Sequence, residues 1–214
     1  MNIVILGAPG SGKGTQSELL ANKLNLFYFQ TGELARELAK KDKRIREIVD
    51  SGRLIPKEEM TMYALDNLKE SKSNYKDILF EGFPRFISQY EALEKFLLLK
   101  GDDIDAVISL DISQEGAVRR LSSRRVCEEC GEVYNLLTNP PKEPDKCDKC
   151  GGRLFHREDD KPESIRVRFI DFQENTKKLI DYLEKQGKLI RVNAERPIDE
   201  IFQEILQKLG INNE

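Results

Sequence analysis

A glycine-rich turn near the start of the chain has the composition of a polyphosphate-binding loop. Residues 7–15 read Gly-Ala-Pro-Gly-Ser-Gly-Lys-Gly-Thr and follow the apolar run 2–6, which is typical of a buried strand. Glycines let backbone N–H groups approach phosphate oxygens where a Cβ would collide, and a following helix adds the positive end of its dipole. Lys13 adds a mobile cation and Thr15 a hydroxyl for magnesium, so we predict a phosphate site here.

This turn departs from the general P-loop pattern, which places Ser or Thr directly after the lysine. Here Gly14 follows Lys13, and the hydroxyl comes one residue later at Thr15. The alternative is a glycine-rich connection between a strand and a helix that binds no ligand. The strand, the glycine spacing, the lysine and the hydroxyl together favour phosphate binding.

Four cysteines form two C-x-x-C pairs with sixteen residues between them: Cys127, Cys130, Cys147 and Cys150. This spacing fits a tetrahedral zinc site with four thiolates, which favours structural over catalytic zinc because no position stays open. Buried free thiols, an iron–sulfur cluster and a redox dithiol pair are the alternatives. The segment has few large apolar residues, so a metal would offset its small core, and we predict a small β-rich module there.

A second set of polar residues follows the predicted strands 27–29 and 78–81. Because the carboxyl ends of parallel strands meet at one sheet edge, Arg85 is expected to face the phosphate loop. Gln89 has amide groups that could read a nucleobase edge. Thr31 is expected to be the N-cap of a helix that carries Arg36. The alternatives are an ordinary helix-entry turn and a capped surface helix.

Arginines flank the cysteine module on both sides: Arg119, Arg120, Arg124 and Arg125 before it, and Arg157, Arg166 and Arg168 after it. Most charge runs are solvated faces, but closure of this module would bring guanidinium groups over the phosphates. That arrangement suits phosphoryl transfer, which requires charge neutralisation and exclusion of water. His156, the single histidine, is expected to lie at the surface or pack at a hinge.

Composition limits the function classes. The net charge of −3 over 214 residues gives no basic field for nucleic acid or anionic membrane. No apolar stretch approaches the roughly 20 residues that span a bilayer, and no secretory leader is evident. Together with the paired cysteines this favours a reducing cytoplasm. We find no spare apolar stripe and expect a monomer.

Apolar runs alternate with helical patterns, which predicts an α/β three-layer P-loop fold with a five-stranded parallel sheet wrapped by helices. The predicted strands are 2–6, 27–29, 78–81, 106–111 and 188–192; the predicted helices are 15–24, 57–71, 88–100, 113–123, 163–186 and 197–209. The predicted core comprises residues 1–29, 56–124 and 162–214. Residues 30–55 form a helical insertion, and residues 125–161 form the metal-binding module.

With these residues identified, the chain resembles the adenylate kinases, in the long form with a zinc-bearing lid. The resemblance covers almost the whole chain through residues 7–15, 31–36, 82–85 with Gln89, 124–126 and 157–160. Gly14 is normal in this family. The resemblance implies reversible transfer between Mg·ATP and AMP to give two ADP, with 30–55 as the nucleoside monophosphate (NMP)-binding insertion and 125–161 as the lid.

The resemblance also implies site residues. The ATP side would comprise Gly10, Ser11, Gly12, Lys13, Gly14, Thr15, Arg120, Arg124, Val133, Tyr134 and Arg196. The AMP side would comprise Thr31, Arg36, Arg53, Leu54, Ile55, Gly82, Phe83, Pro84, Arg85, Gln89, Arg157 and Arg168. The residues closest to the chemistry would be Lys13, Arg85, Arg124, Arg157 and Arg168.

One residue departs from the family pattern, which usually has Asp before Gly-Phe-Pro-Arg. Here Glu81 occupies that place, where the family's carboxylate commonly orders water around magnesium. The alternatives are another NMP kinase, a kinase that uses GTP as donor, and a zinc-ribbon binding protein with a P-loop domain that contacts nucleic acid. The acidic residues of the cysteine module disfavour the last.

Overall fold

The computed structural model describes residues 1–72 and 74–211, and its centre is a parallel five-stranded sheet. The strand order is β2-β3-β1-β4-β8, with β1 at Ile3–Gly7, β2 at Phe27–Gln30, β3 at Ile78–Glu81, β4 at Ala106–Asp111 and β8 at Leu189–Asn193. All of β1 is buried, because both faces of a parallel sheet are covered by helices. The predicted fold class is confirmed.

Two layers of helices cover the sheet. The helices are α1 Lys13–Leu24, α2 Thr31–Lys41, α3 Lys43–Asp50, α4 Lys57–Ser71, α5 Ile87–Leu98, α6 Gln114–Ser122, α7 Pro162–Asp171, α8 Lys177–Lys185 and α9 Ile198–Lys208. Successive side chains of β1 point to opposite faces. Val4 packs with α4, α5 and α8, whereas Ile3 and Ile5 pack with α1 and α9. Within the described residues, no helix combines the length and apolarity needed to cross a membrane.

The insertion after β2 consists of α2 and α3, which pack around the buried Ala39, Ile45 and Ile55. The prediction that Thr31 is an N-cap is wrong. Gln30 occupies the cap position, Thr31 is the first helical residue, and its hydroxyl faces the Glu81 carbonyl oxygen at 3.5 Å. The helix follows β2 without a loop, so this hydroxyl points toward the neighbouring strand β3.

The cysteine-bearing segment is β-rich, as predicted. Strands β5 Arg124–Cys127, β6 Val133–Asn135 and β7 Leu154–Phe155 form an antiparallel sheet in the order β6-β5-β7. Its buried cluster contains Cys127, Tyr134, Cys147 and Leu154. A core of this size buries little apolar surface, which agrees with the expectation that a metal stabilises the module.

The predicted helical segment 163–186 is observed with nearly the same ends, from Pro162 to Lys185. A π-helical segment, Phe172–Thr176, separates α7 from α8. The wider turn shifts the helical register between two apolar surfaces. Phe169 of α7 packs beside α6, whereas Leu179 and Leu183 of α8 pack against the central sheet.

Candidate active site

The phosphate loop lies between β1 and α1. Helix α1 begins at Lys13, two residues earlier than predicted, so this lysine lies in the first helical turn. Gly10 has φ +81°, and a Cβ there would lie 2.6 Å from the Ala117 carbonyl oxygen of α6. The loop therefore requires glycine both for its left-handed backbone and for its contact with α6. Ser11 is buried inside the loop.

Lys13 is enclosed by the loop that carries it. Its Nζ donates hydrogen bonds to the carbonyl oxygens of Gly7 and Ala8, both at 2.8 Å. Burial lowers the pKa of Lys13 to about 7; the nearby Glu81 opposes this shift, and the guanidinium of Arg85 adds to it. A phosphate group at this amine would restore its charge, so the site is electrostatically prepared for an anion.

The loop after β3 holds Arg85 against the same site. Arg85 Nε donates to the Gly82 carbonyl at 2.8 Å, and its backbone N–H donates to Gln89 Oε1 at 2.9 Å. Burial lowers the pKa of Arg85. Gln89 Nε2 donates to the Lys57 carbonyl at 3.2 Å. The described bonds of the Gln89 amide thus hold the loop in place.

Other residues of this loop and of α2 have distinct positions. Phe83 is buried in the main core and anchors the loop to the sheet, next to Pro84. Arg36 of α2 is half-buried, and burial together with the charge of Arg157 lowers its pKa. Arg36 belongs to the insertion, and Arg157 lies near the C-terminal end of the lid. The structure therefore brings residues of these two segments together at the predicted AMP side of the site.

Three arginines that flank the lid converge on two consecutive aspartates. Arg124 Nε and Nη2 donate to the Asp160 carboxylate at 2.7 and 2.6 Å. Arg157 binds Asp159 in the same forked manner, at 2.8 and 2.6 Å. Arg168 Nη1 donates to Asp160 Oδ1 and to the Asp159 carbonyl, each at 2.9 Å. These planar forks are well suited to carboxylate or phosphate.

The pKa values of this cluster show that its arginines and aspartates offset each other's charge. Burial alone would raise the pKa of Asp159, but the neighbouring Arg168, Arg157 and Arg124 lower it. Burial lowers the pKa of Arg168 to about 10, and Asp159 and Asp160 partly oppose that shift. The carboxylates therefore neutralise guanidinium groups that would otherwise be buried beside one another.

Asp159 and Asp160 have no predicted role of their own and belong only to the motif 157–160. The sequence signal for them is a run of three acidic residues, 158–160, directly after Arg157 in a segment rich in arginine. Asp171 was missed entirely. Its carboxylate accepts a hydrogen bond from the Leu54 backbone, burial raises its pKa, and the charge of Arg85 opposes that shift.

The end of the insertion packs against α7. Gly52 has φ +78°, and a Cβ there would lie 2.6 Å from the Ser164 carbonyl oxygen. Ser164 Oγ donates to the Asp50 carbonyl at 2.9 Å. The exposed Arg53 donates to the Ser51 hydroxyl at 3.0 Å, and Ile55 is buried in the insertion core.

The predicted contacts of the ATP base and ribose are more dispersed. Arg120 is half-buried beside Gly12 of the phosphate loop, and burial lowers its pKa. Arg196 forms an ion pair with Glu204 of α9. In β6, Val133 is exposed. Tyr134 is buried within the lid.

Two arginines of the flanking runs, Arg119 and Arg166, are exposed and lie outside the cluster. His156 is also exposed, as expected. The lid itself lies near α1, because Glu132 of the lid, together with burial, raises the pKa of Glu18 in that helix.

The four cysteine sulfurs fit a metal centre. All four lie within 4.8 Å of one another, with Cys127 and Cys150 at 3.5 Å and Cys130 and Cys147 at 3.6 Å. Tetrahedral zinc with Zn–S bonds of about 2.3 Å separates its sulfurs by roughly 3.8 Å. The donor set and its dimensions therefore fit a structural zinc site.

A glycine-rich loop at a helix N-terminus, a facing arginine loop and an arginine-bearing lid define a P-loop phosphotransferase of the nucleoside monophosphate kinase class. A family model described as adenylate kinase matches residues 5–188, so the chain belongs to the adenylate kinase family. Adenylate kinases from Thermosipho africanus, Methanothrix thermoacetophila and Archaeoglobus fulgidus are 41%, 42% and 40% identical to it. These alignments cover 96%, 98% and 96% of this chain and 98%, 99% and 96% of the relatives.

Proposed function

We propose that this chain transfers the terminal phosphoryl group of ATP to AMP and catalyses the reverse reaction. The observation that supports this most directly is the convergence of Lys13, Arg85, Arg124 and Arg168 from four parts of the chain. The three arginines electrostatically influence the Lys13 amine. Glu81 and Asp160 offset part of this positive charge, and two nucleotide phosphate chains would supply the further anions that such a cluster can bind.

The reaction needs no covalent protein intermediate. A phosphate oxygen of AMP attacks the γ-phosphorus of ATP and forms a new O–P bond. The bond between that phosphorus and the β,γ-bridging oxygen breaks, and its electron pair stays on the β-phosphate of the departing ADP. Lys13 follows the transferred group, while Arg124, Arg157 and Arg168 neutralise charge on its oxygens.

Thr15 and Glu81 would hold the magnesium ion. A hydroxyl and a carboxylate are the hard oxygen donors that magnesium prefers. Glu81 lies near Lys13, and its Oε2 lies 3.5 Å from the Tyr28 hydroxyl. Magnesium bound there supplies positive charge to the phosphate oxygens. Glu81, one methylene longer than the usual aspartate, reaches it from the end of β3.

Exclusion of water separates a kinase from an ATPase, and we assign this role to the lid, residues 125–161. The insertion, residues 30–55, would hold AMP through Thr31, Arg36 and the loop around Arg85. The AMP-side residues 53–55 join this insertion to α4, and Gln89 holds the Arg85 loop beside them. The net charge of −3 supports a role without nucleic acid or membrane partners, and we propose a monomer in the cytoplasm.

A coupled assay of ADP formation tests this proposal. ATP is supplied with each of AMP, GMP, CMP and UMP, and AMP is then tested with GTP as donor. Turnover only with ATP and AMP is the expected result. Strong turnover of CMP or UMP would indicate another NMP kinase, and a preference for GTP would change the donor. Absence of turnover together with tight oligonucleotide binding would refute the proposal and favour a zinc-ribbon binding protein.

A further inference from the structure

The side chain of Tyr134 lies inside the lid and reaches the second cysteine pair. The residue is 5% exposed and packs with Cys127, Cys147 and Leu154. Its hydroxyl oxygen lies 3.5 Å from Cys147 Sγ and 2.8 Å from the Asp148 backbone nitrogen. A phenol held by two neighbouring residues of a metal-binding turn has more than a packing role.

The direction of these hydrogen bonds follows from the donors present. The Asp148 N–H can only donate, so the Tyr134 oxygen accepts from it. The single phenol proton is then free to point at the Cys147 sulfur, and a metal-bound thiolate is an acceptor. Tyr134 therefore fixes both the backbone and the sulfur of the second cysteine turn.

We propose that Tyr134 is a positioning residue of the lid metal centre, whose O–H donates to the Cys147 thiolate and strengthens zinc binding. This inference rests on the structural zinc site that the four cysteines of the lid fit. Backbone N–H groups also face the sulfurs: that of Glu132 faces Cys130, those of Lys149 and Cys150 face Cys147, and that of Gly152 faces Cys150. Tyr134 instead supplies a side-chain hydroxyl from a different strand.

The position of Tyr134 in β6 extends this role to the hinge. Tyr134 pairs with Arg125 in the antiparallel register of β5 and β6, next to Arg124 at the start of β5. Its backbone thus belongs to the strand pair at the hinge, and its side chain binds the metal-binding turn. Cys127 joins the metal centre to β5 directly, and Tyr134 adds a second connection, from β6 to the turn that carries Cys147.

Tyr134→Phe tests the proposal because it keeps the ring and removes only the hydroxyl. Zinc affinity of the holoenzyme is measured by competition with a colorimetric chelator, and we expect a roughly 10- to 100-fold loss, as for other outer-shell partners. In the cobalt-substituted protein the thiolate charge-transfer band should shift. Tyr90→Phe is the matched control, since it removes a buried phenol hydroxyl bonded to Glu94 at 3.2 Å, on α5 of the core domain.

The outcomes separate the inference from the zinc assignment. Weaker zinc binding in Tyr134→Phe with an unchanged Tyr90→Phe supports it. Equal affinity and an unchanged cobalt spectrum overturn it while leaving the zinc site intact. Wild-type protein that binds no zinc overturns both. If Tyr134→Phe fails to fold, wild-type protein substituted with cadmium-113 answers the question: a protected phenol proton coupled to the metal supports the proposal, and its absence overturns it.

Discussion

Binding of Mg·ATP is expected to take up a proton, and Lys13 determines how much. In the described conformation burial lowers the pKa of Lys13 to about 7. This corresponds to about 5 kcal/mol of added preference for the neutral amine relative to water. At pH 8 about 90% of the amines are then neutral, and a bound polyphosphate returns them to the charged form. The expected uptake is about 0.9 proton per chain.

The sign of the pH dependence follows from the same shift. The bound state holds more protons than the free state between the lowered pKa of about 7 and the ordinary value of 10.5. ATP affinity should therefore fall as pH rises through this window, by up to about tenfold per pH unit. Mg·ATP itself binds no protons at pH 8, so it does not contribute.

Calorimetry in buffers of different ionisation enthalpy measures this uptake, because the apparent binding enthalpy changes in proportion to the protons exchanged. Lys13→Met should abolish the buffer dependence, although it also weakens binding and needs higher concentrations. Lys23→Met removes an exposed lysine of the same helix and should leave the uptake unchanged. Equal binding enthalpies in all buffers for the wild-type protein would refute the reasoning from the buried amine.

Three further predictions concern the acceptor side and the lid. Arg85→Ala should lower kcat/KM for AMP by about 10- to 100-fold, the range for a charge-assisted contact with phosphate; unchanged kinetics would remove Arg85 from the site. Gly52→Ala should raise the KM for AMP about tenfold, since its Cβ would meet the Ser164 carbonyl. Gly101→Ala, with φ +77° but open space around it, is its matched control, and equal KM values in the two variants would contradict this. Cys147→Ala should cost about 3 kcal/mol and lower the Tm by roughly 10 °C, measured by scanning calorimetry on zinc-loaded protein; full thermal stability would argue against structural zinc.

The sequence predicts best those parts of the fold in which several neighbouring residues meet the same physical requirement. Residues 3–6 are all apolar because β1 is covered on both faces, and this pattern identifies a central parallel strand. The glycine spacing around Gly10 and the spacing of the cysteine pairs are equally informative, since a phosphate or a tetrahedral metal imposes them. In these cases local pattern and tertiary contact agree.

Other features depend on side-chain directions that no local pattern records. Strand β6 has three residues, too few for alternation to show that Val133 faces out and Tyr134 faces in. Thr31 has the composition of an N-cap, but its hydroxyl turns to β3 because the helix follows β2 directly. The π-helical segment within 163–186 arises from two packing surfaces in different registers. Each of these outcomes is decided by a distant part of the chain.

The consecutive carboxylates of Asp159 and Asp160 have a consequence for product departure. Their oxygens accept hydrogen bonds from Arg124, Arg157 and Arg168. An arginine that releases a phosphate can therefore bind one of these carboxylates directly. In the proposed reaction, the ADP products would therefore compete with these carboxylates for the arginines. In this arrangement several cations would bind the nucleotide phosphates, and the carboxylates would keep product release fast.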